Sequence, residues 1–174
     1  MSDKPVAITD SGIRDNRDRG SVGAFLKETI KPGANLSIVS AYFTIYAFED
    51  LKEQLLDIER LNFLFGEPRF VRSLDPSKTE KKAFRVDEDG LKLQNHLQQK
   101  RVARECADWI RRKVEIRSVK RAGLLHGKLY HIDNGGLEEA ILGSSNFTVR
   151  GLGLAPTGNN IELNLVVDGN RDRR

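Results

Sequence analysis

Four side chains suited to phosphate-ester chemistry lie within 21 residues of one another. His126 and Lys128 are two residues apart, and so are Ser144 and Asn146. Because residues two apart on a strand point to the same face, we expect the first pair to project together. An Asn-Gly-Gly turn at 134–136 predicts that the chain returns as a neighbouring strand, which brings the second pair beside the first. An imidazole, an ammonium, a hydroxyl and an amide around one point suit attack on a phosphodiester.

A carboxylate from further along the chain is expected at the same place. Residues 159–164 open the last apolar strand, which we predict over 161–167, and Glu162 lies near its start. From there Glu162 can accept a hydrogen bond from one ring nitrogen of His126, which fixes the tautomer and leaves the other nitrogen nucleophilic. The candidate catalytic residues are therefore His126, Lys128, Asn146 and Glu162.

This pattern resembles the HxKxxxxD…GSxN motif of the phospholipase D superfamily. The matching positions are His126, Lys128 and Asp133 in the first half and Gly143, Ser144 and Asn146 in the second. A looser likeness through 40–44, 66–68 and 146–152 extends to single-motif modules at the front of some bacterial helicases and to restriction-type endonucleases.

The resemblance implies a metal-independent phosphodiesterase. His126 would attack the phosphorus to form a phosphohistidine, a histidine from a second motif would protonate the leaving oxygen, and water would then resolve the intermediate. Lys128 and Asn146 would bind the nonbridging oxygens with help from Ser144, while Glu162 would orient His126. Asp133 would lie further from the reaction, in a structural or supporting role. Neither a metal nor a cofactor is implied, because Lys128 and the matching lysine of the second motif neutralise the phosphate charge that magnesium would otherwise screen.

The histidine count predicts how such a site is completed. The chain has three histidines, whereas the family's active site uses two motifs. His96 has no lysine two places on, and His131 has the wrong spacing from His126 to share its strand face. The second motif must then come from another chain, and a two-fold homodimer with the site on its axis is the simple solution.

Composition and charge bound the substrate. The chain carries one cysteine, which excludes an intramolecular disulfide and a cysteine-rich zinc site. We find no secretion signal and no apolar run long enough to span a bilayer, and we expect a cytoplasmic protein with no membrane partner. The net charge is +4, yet the segment 91–125 carries ten Lys/Arg against three Asp/Glu. That excess favours a solvated helix face or a polyanion-binding surface.

Nucleic acid, with DNA as the expected polymer, is the substrate that these features favour. A lipid phosphodiesterase or transferase is the alternative, and it would need an apolar entry surface. A weakly active DNA-binding and dimerisation module of a helicase is a third hypothesis. A helicase region would lie outside these residues, because the sequence contains no phosphate-binding loop of the Gly-x4-Gly-Lys-Ser/Thr type.

Hydrophobic periodicity predicts an α/β fold, in which helices flank a mixed β-sheet as a phospholipase D-like α-β-α sandwich. The first predicted helix covers 21–30 and is capped by Ser21, and the second contains an apolar face of Phe48, Leu51, Leu55 and Ile58. A third helix is predicted over 91–113, with Trp109 as a packing residue. Its predicted core contacts are Leu93, Leu97, Ala103, Cys106, Ala107 and Ile110. Strands are predicted over 36–41, 61–65, 114–119, 128–132, 139–142 and 161–167. The expected organisation is a flexible or extended lead-in (1–20), a catalytic domain (21–168) containing a long loop (69–90), and a polar tail (169–174), which we interpret as the start of a linker to a downstream region.

Overall fold

The computed structural model describes residues 12–66, 96–119 and 125–169, with side chains from residue 98 onward in the second range. Within these residues the strands are β1 (Ile13–Arg14), β2 (Asn35–Ser40), β3 (Arg60–Phe65), β4 (Val114–Ser118), β5 (Lys128–Asp133), β6 (Glu138–Gly143) and β7 (Asn164–Asp168). The helices are α1 (Val22–Thr29), α2 (Ile45–Asp50), α3 (Lys52–Leu56) and α4 (His96–Lys113).

The strands form one mixed sheet in the order β1-β7-β6-β5-β2-β3-β4. β2, β3 and β4 are parallel, whereas β5, β6, β7 and β1 join by antiparallel pairing. The parallel strands therefore end where β6 ends and where β5 and β7 begin. We call this end of the sheet, where the parallel strands have their carboxyl ends, the site edge. The predicted α/β architecture, a mixed sheet with flanking helices, is confirmed.

Local side-chain chemistry starts the first two helices. Ser21 caps α1 as predicted, its Oγ accepting a hydrogen bond from Ala24 N at 3.0 Å. Thr44 caps α2 in the same way. The predicted helix containing Phe48 and Ile58 is divided at Leu51, whose φ and ψ of −107° and 8° separate α2 from α3. The predicted apolar face is nevertheless correct, since all four of its members are fully buried, namely Phe48, Leu51, Leu55 and Ile58.

The core lies on one face of the sheet. It contains Leu36 and Ile38 of β2 and the residues paired beside them, such as Phe63 and Tyr130, packed against all four helices. Trp109 of α4 is buried, and its ring N–H donates to Leu55 O at 2.8 Å. The opposite face is not covered by any helix in the described parts of the chain.

Several predicted details differ from the structure. The last strand begins at Asn164 rather than at 161, because Ile161 and Leu163 project into solvent instead of pairing. In α4 the predicted core residues Cys106 and Ile110 and the packing residue Trp109 are in or against the core, whereas Ala103 is exposed and its neighbour Val102 is buried instead.

Some predictions concern residues at the boundaries of the description. Residues 13–14 of the expected lead-in pair with β7 as β1. The 69–90 loop, Leu93, the side chains of His96 and Leu97, and residues 170–174 lie outside the described residues. The predicted domain bounds remain predictions.

Candidate functional site

A row of paired residues across four strands forms the base of the site edge. Lys128 of β5 pairs with Gly143 of β6, Gly143 pairs with Asn164 of β7, and Asn164 pairs with Arg14 of β1. Gly143 is required here, because a Cβ atom would lie 2.3 Å from Leu163 O and 2.4 Å from Asn164 Oδ1. This close approach of β7 places Ser144 directly beyond the row.

His126 and Lys128 enter this row from the segment that precedes β5. Leu125 N donates to Gly66 O at 3.1 Å, and Gly66 N donates to Ser40 O at 3.1 Å, so the segment is held against the ends of β3 and β2. His126 is exposed, and its carbonyl accepts a hydrogen bond from Lys128 Nζ at 2.7 Å. Since an ammonium has three donors, Lys128 keeps two N–H groups for a ligand.

Asn146 reaches the same edge through β2. Its Oδ1 accepts hydrogen bonds from Ala41 N at 3.1 Å and from Ser40 Oγ at 3.2 Å, and Ser40 shares its single hydroxyl hydrogen with Tyr42 O at 2.8 Å. Ser40 is fully buried, and its Oγ also accepts from Phe147 N at 3.0 Å. Both acceptor positions of Oδ1 are therefore used within the protein. The amide Nδ2 is the group of Asn146 that can donate to an anionic oxygen.

Ser144 and Glu162 form a direct pair. Ser144 Oγ donates to Glu162 Oε2, and it accepts a hydrogen bond from Leu163 N at 3.1 Å. The other oxygen of Glu162 accepts from Asn160 Nδ2 at 3.1 Å. Glu162 is therefore at the site edge, just before β7 instead of within it.

The partner of Glu162 differs from the predicted one. Among the contacts of the described residues, the carboxylate binds Ser144 and Asn160 rather than the ring of His126. The reason is geometric, because Glu162 precedes a strand that lies two strands away from β5. In this structure Glu162 orients Ser144, and its action on His126 stays a prediction.

A buried polar layer supports the site from below. Asn164 donates to Ser145 Oγ at 3.0 Å and to Arg14 O at 3.2 Å, and it accepts from Ser145 N at 3.3 Å. Tyr130 donates its hydroxyl hydrogen to Ser145 O at 2.8 Å. Burial, with a smaller contribution from the charge of Glu162, raises the pKa of Tyr130 well above its usual value. Tyr130 therefore stays a neutral hydrogen-bond donor.

The remaining motif residues lie away from the site edge. Asp133 is at the far end of β5, where its Oδ1 accepts a hydrogen bond from Gly136 N at 2.7 Å and stabilises the turn into β6. Asp133 therefore lies away from the reacting groups, and the supporting role expected for it stays a prediction. His131 is half-buried on the face opposite Lys128, between Ser37 and Ala140.

Sequence reasoning missed two residues of the site, Ser40 and Asn164. Both are buried polar residues at strand ends, and both hold the 144–146 segment in place. Ser40 belongs to the 40–44 stretch that carried part of the family likeness, which was the available signal. The signal for Asn164 was a single asparagine opening an apolar strand.

The basic segment is less concentrated than its composition suggests. Arg111, Arg112 and Lys113 lie at the carboxyl end of α4, next to the start of β4, and so at the end of the sheet opposite the site edge. Arg101 pairs with Glu49 and Glu105, and Arg117 pairs with Glu115. Most of the described charges in this segment are therefore solvated or internally paired.

Comparison with known proteins agrees with the geometry. The family model described as "Cardiolipin synthase, PLD-like domain" matches residues 34–172, which include all the candidate site residues. No curated protein matches the chain significantly. Membership supports phosphodiester-cleaving chemistry in general, without distinguishing a nuclease from a phospholipase.

The described helices include none with the length and apolar character needed to cross a bilayer. The two halves of the motif meet at the site edge, and the family match covers most of the chain. This chain belongs to the phospholipase D-like family.

Proposed function

We propose that this protein is a metal-independent phosphodiesterase that cleaves nucleic acid, DNA in particular, through a phosphohistidine at His126. The observation that carries the proposal is the convergence of His126, Lys128, Ser144 and Asn146 at one edge of a phospholipase D-like sheet. A nucleophile, a cation and two neutral polar groups are what phosphoryl transfer needs when no metal ion neutralises the phosphate.

Each side chain has a defined step. The imidazole of His126 attacks phosphorus, and the bond to the leaving oxygen breaks as that oxygen takes a proton from the partner's His126. Water then gives a proton to the partner's His126 and attacks the phosphohistidine, which restores both histidines. Lys128 Nζ and Asn146 Nδ2 bind the nonbridging oxygens, and the Ser144 hydroxyl, held by Glu162, assists them.

A second copy of the chain completes the site in this proposal. Leu142, Ile161, Leu163 and Leu165 form an exposed apolar strip beside the site edge. Leu142 and Leu165 are register partners on the face of the sheet opposite the core, and Leu163 N contacts Ser144 Oγ. Exposed apolar patches of this kind are typical of interaction surfaces. A two-fold contact through the apolar strip would bury it and bring the two copies of the site together.

The same surface favours a second candidate function, hydrolysis or transfer on a phospholipid. A lipid substrate needs an apolar surface next to the reacting groups, and Leu163 lies directly beside Ser144. We prefer nucleic acid because residues 40–44, 66–68 and 146–152 resemble nuclease-like modules and because self-association would account for the apolar strip.

A substrate panel in EDTA tests the proposal. We expect the purified protein to cleave labelled single-stranded or duplex DNA without divalent metal, and to leave phosphatidylglycerol liposomes intact. Liposome hydrolysis without nuclease activity would replace the proposal with the lipid function. Labelled RNA serves as the third arm and decides whether the ribose hydroxyl matters.

A further inference from the structure

A short loop outside the family match lies beside the site. The match begins at residue 34, whereas residues 15–20 connect β1 to α1. We propose that this loop, hereafter the arginine loop, is a second phosphate-binding site that holds the nucleic-acid strand through Arg17 and Arg19. The inference rests on the proposed function and names where the substrate strand runs.

The arginine loop has a fixed backbone. Asp15 Oδ1 accepts hydrogen bonds from Arg17 N at 2.8 Å and Arg19 N at 3.0 Å, and these bonds lower the pKa of the carboxyl. Asn16 is buried with a φ of 62°, and its side chain donates to Gly151 O at 2.9 Å and accepts from Val22 N at 3.2 Å. A loop held this way loses little conformational freedom when it binds a ligand.

The loop is attached to the site itself. Glu162 N donates to Asp15 O at 3.2 Å, and Arg14 is the last member of the paired row that begins at Lys128. Three strand spacings separate Arg14 from Lys128, which is about 14 Å. The loop follows Arg14 directly, so a phosphate bound there belongs to a nucleotide beyond the scissile one and not to the reacting phosphate itself.

The guanidinium groups of the loop are available to a polyanion. Arg17 and Arg19 are exposed, and neither has a salt-bridge partner among the residues that the structure describes. The loop also holds two carboxylates: Asp15, which keeps its charge, accepts bonds from backbone N–H groups and interacts with Arg19, and Asp18, which is exposed. Asp15 is held by the backbone, so Asp18 is the removable charge that opposes binding of a polyanion. Arginine binds phosphate oxygens in a bidentate manner, so two arginines suit two successive phosphates.

The test compares a long and a short substrate. In full-length protein carrying R17A/R19A, we expect weaker binding of a labelled 20-nucleotide DNA, with a salt slope (log Kd against log salt) reduced by about 1.4 for single strands and about 1.8 for duplex. Hydrolysis of bis(p-nitrophenyl) phosphate should be unchanged, because this molecule is too short to reach the loop. Asp18→Asn should strengthen DNA binding, and R17K/R19K should restore part of it.

The control is R111A/R112A, which removes the same charge from the far end of the sheet. If both double variants weaken DNA binding equally, the arginine loop is not a specific phosphate-binding site. The same holds if R17A/R19A has an unchanged salt slope and an unchanged thermal midpoint. Either result leaves the proposed function standing. Loss of bis(p-nitrophenyl) phosphate hydrolysis in R17A/R19A also overturns the arginine loop, since the effect would then be at the reacting phosphate. Parent protein that hydrolyses the short ester but binds no DNA overturns both proposals.

Discussion

At the scale of single residues, Ser40 links two parts of the site that are 106 residues apart in sequence. Its hydroxyl connects the end of β2 to Asn146 Oδ1 and to Phe147 N. The sequence predicted Asn146 from its motif, but a serine at the end of a strand has no distinguishing pattern. Its role follows only from the pairing of distant strands.

We expect Ser40→Ala to lower kcat by up to about a hundredfold, because a displacement of about 1 Å in a positioned group has effects of this size. Stability should fall by about 1–3 kcal/mol, since Phe147 N loses its buried acceptor. Steady-state kinetics and urea unfolding measure both quantities. Ser37→Ala, on the opposite face of β2, is the matched control, and equal kinetic effects of the two variants would contradict the positioning role.

Asp50 makes a separate prediction about pH. Burial, with help from the charge of Glu49, raises its pKa above 3.8, and Lys27 opposes the shift. Its Oδ2 is buried without a hydrogen-bond partner among the described residues. A raised folded-state pKa means that the native state binds the proton more tightly, so stability falls as pH rises from 3.8 through the folded pKa.

Asp50→Asn should therefore be more stable than the parent at pH 7, and the difference should disappear as pH is lowered below the unfolded pKa. Chemical denaturation between pH 3 and pH 7 measures it. A parent whose stability does not depend on Asp50 anywhere in this range would show that the carboxylate is solvated.

At the scale of elements, the close approach of β6 and β7 determines where Ser144 and Glu162 meet. Gly143→Ala would place a methyl group against Leu163 O and Asn164 Oδ1. We expect the variant to lose about 1–3 kcal/mol of stability, because backbone atoms cannot move as a flexible side chain can. Differential scanning calorimetry on the variant and the parent checks this value.

Gly127→Ala is the control for stability, since a Cβ atom there would meet nothing within 4 Å. A Gly143→Ala protein as stable as Gly127→Ala would contradict the described strand contact.

Apolar periodicity predicted most of the elements, and tertiary contacts decided the rest. The spacing of Phe48, Leu51 and Leu55 correctly predicted a buried helix face. It could not predict the break at Leu51, because the break leaves the same residues buried. The start of β7 was predicted three residues early because Ile161 and Leu163 are apolar yet exposed. In the proposed dimer, a second molecule rather than this chain would cover them.

At the scale of the whole molecule, the motif predicted which side chains meet at the site edge, and the assembly that it implies stays a prediction. His126, Lys128, Ser144 and Asn146 are brought to one edge as expected, because strand alternation and a hairpin turn are local rules. The contacts of Glu162 with Ser144 and Asn160 depend on the sheet order, which the motif does not encode, and its action on His126 stays a prediction. Dimerisation remains a prediction drawn from the histidine count and the apolar strip.

We expect Leu165→Glu to shift the protein from dimer to monomer and to reduce phosphodiesterase activity together with the dimer fraction. A charge in the centre of the apolar strip loses its hydration when the contact forms. Sedimentation velocity measures the assembly. Leu56→Glu, at an exposed leucine on α3, is the matched control and should remain dimeric.

Mixed dimers provide an independent check of the shared site. If both copies of His126 act on one phosphate, diluting the parent with an equal amount of His126→Ala protein leaves about one quarter of the dimers fully intact. Activity per parent chain should then fall by about half. Unchanged activity per parent chain would show that each copy works alone.

The central claim is that His126 attacks the phosphodiester without a metal ion. The most direct measurement is the rate of DNA cleavage in EDTA by the parent, by His126→Ala and by His131→Ala. Our account predicts the same rate with and without EDTA for the parent, no cleavage by His126→Ala, and near-parent cleavage by His131→Ala, whose imidazole lies on the other face of β5. Cleavage that requires a divalent metal, or that survives the loss of His126, would contradict it.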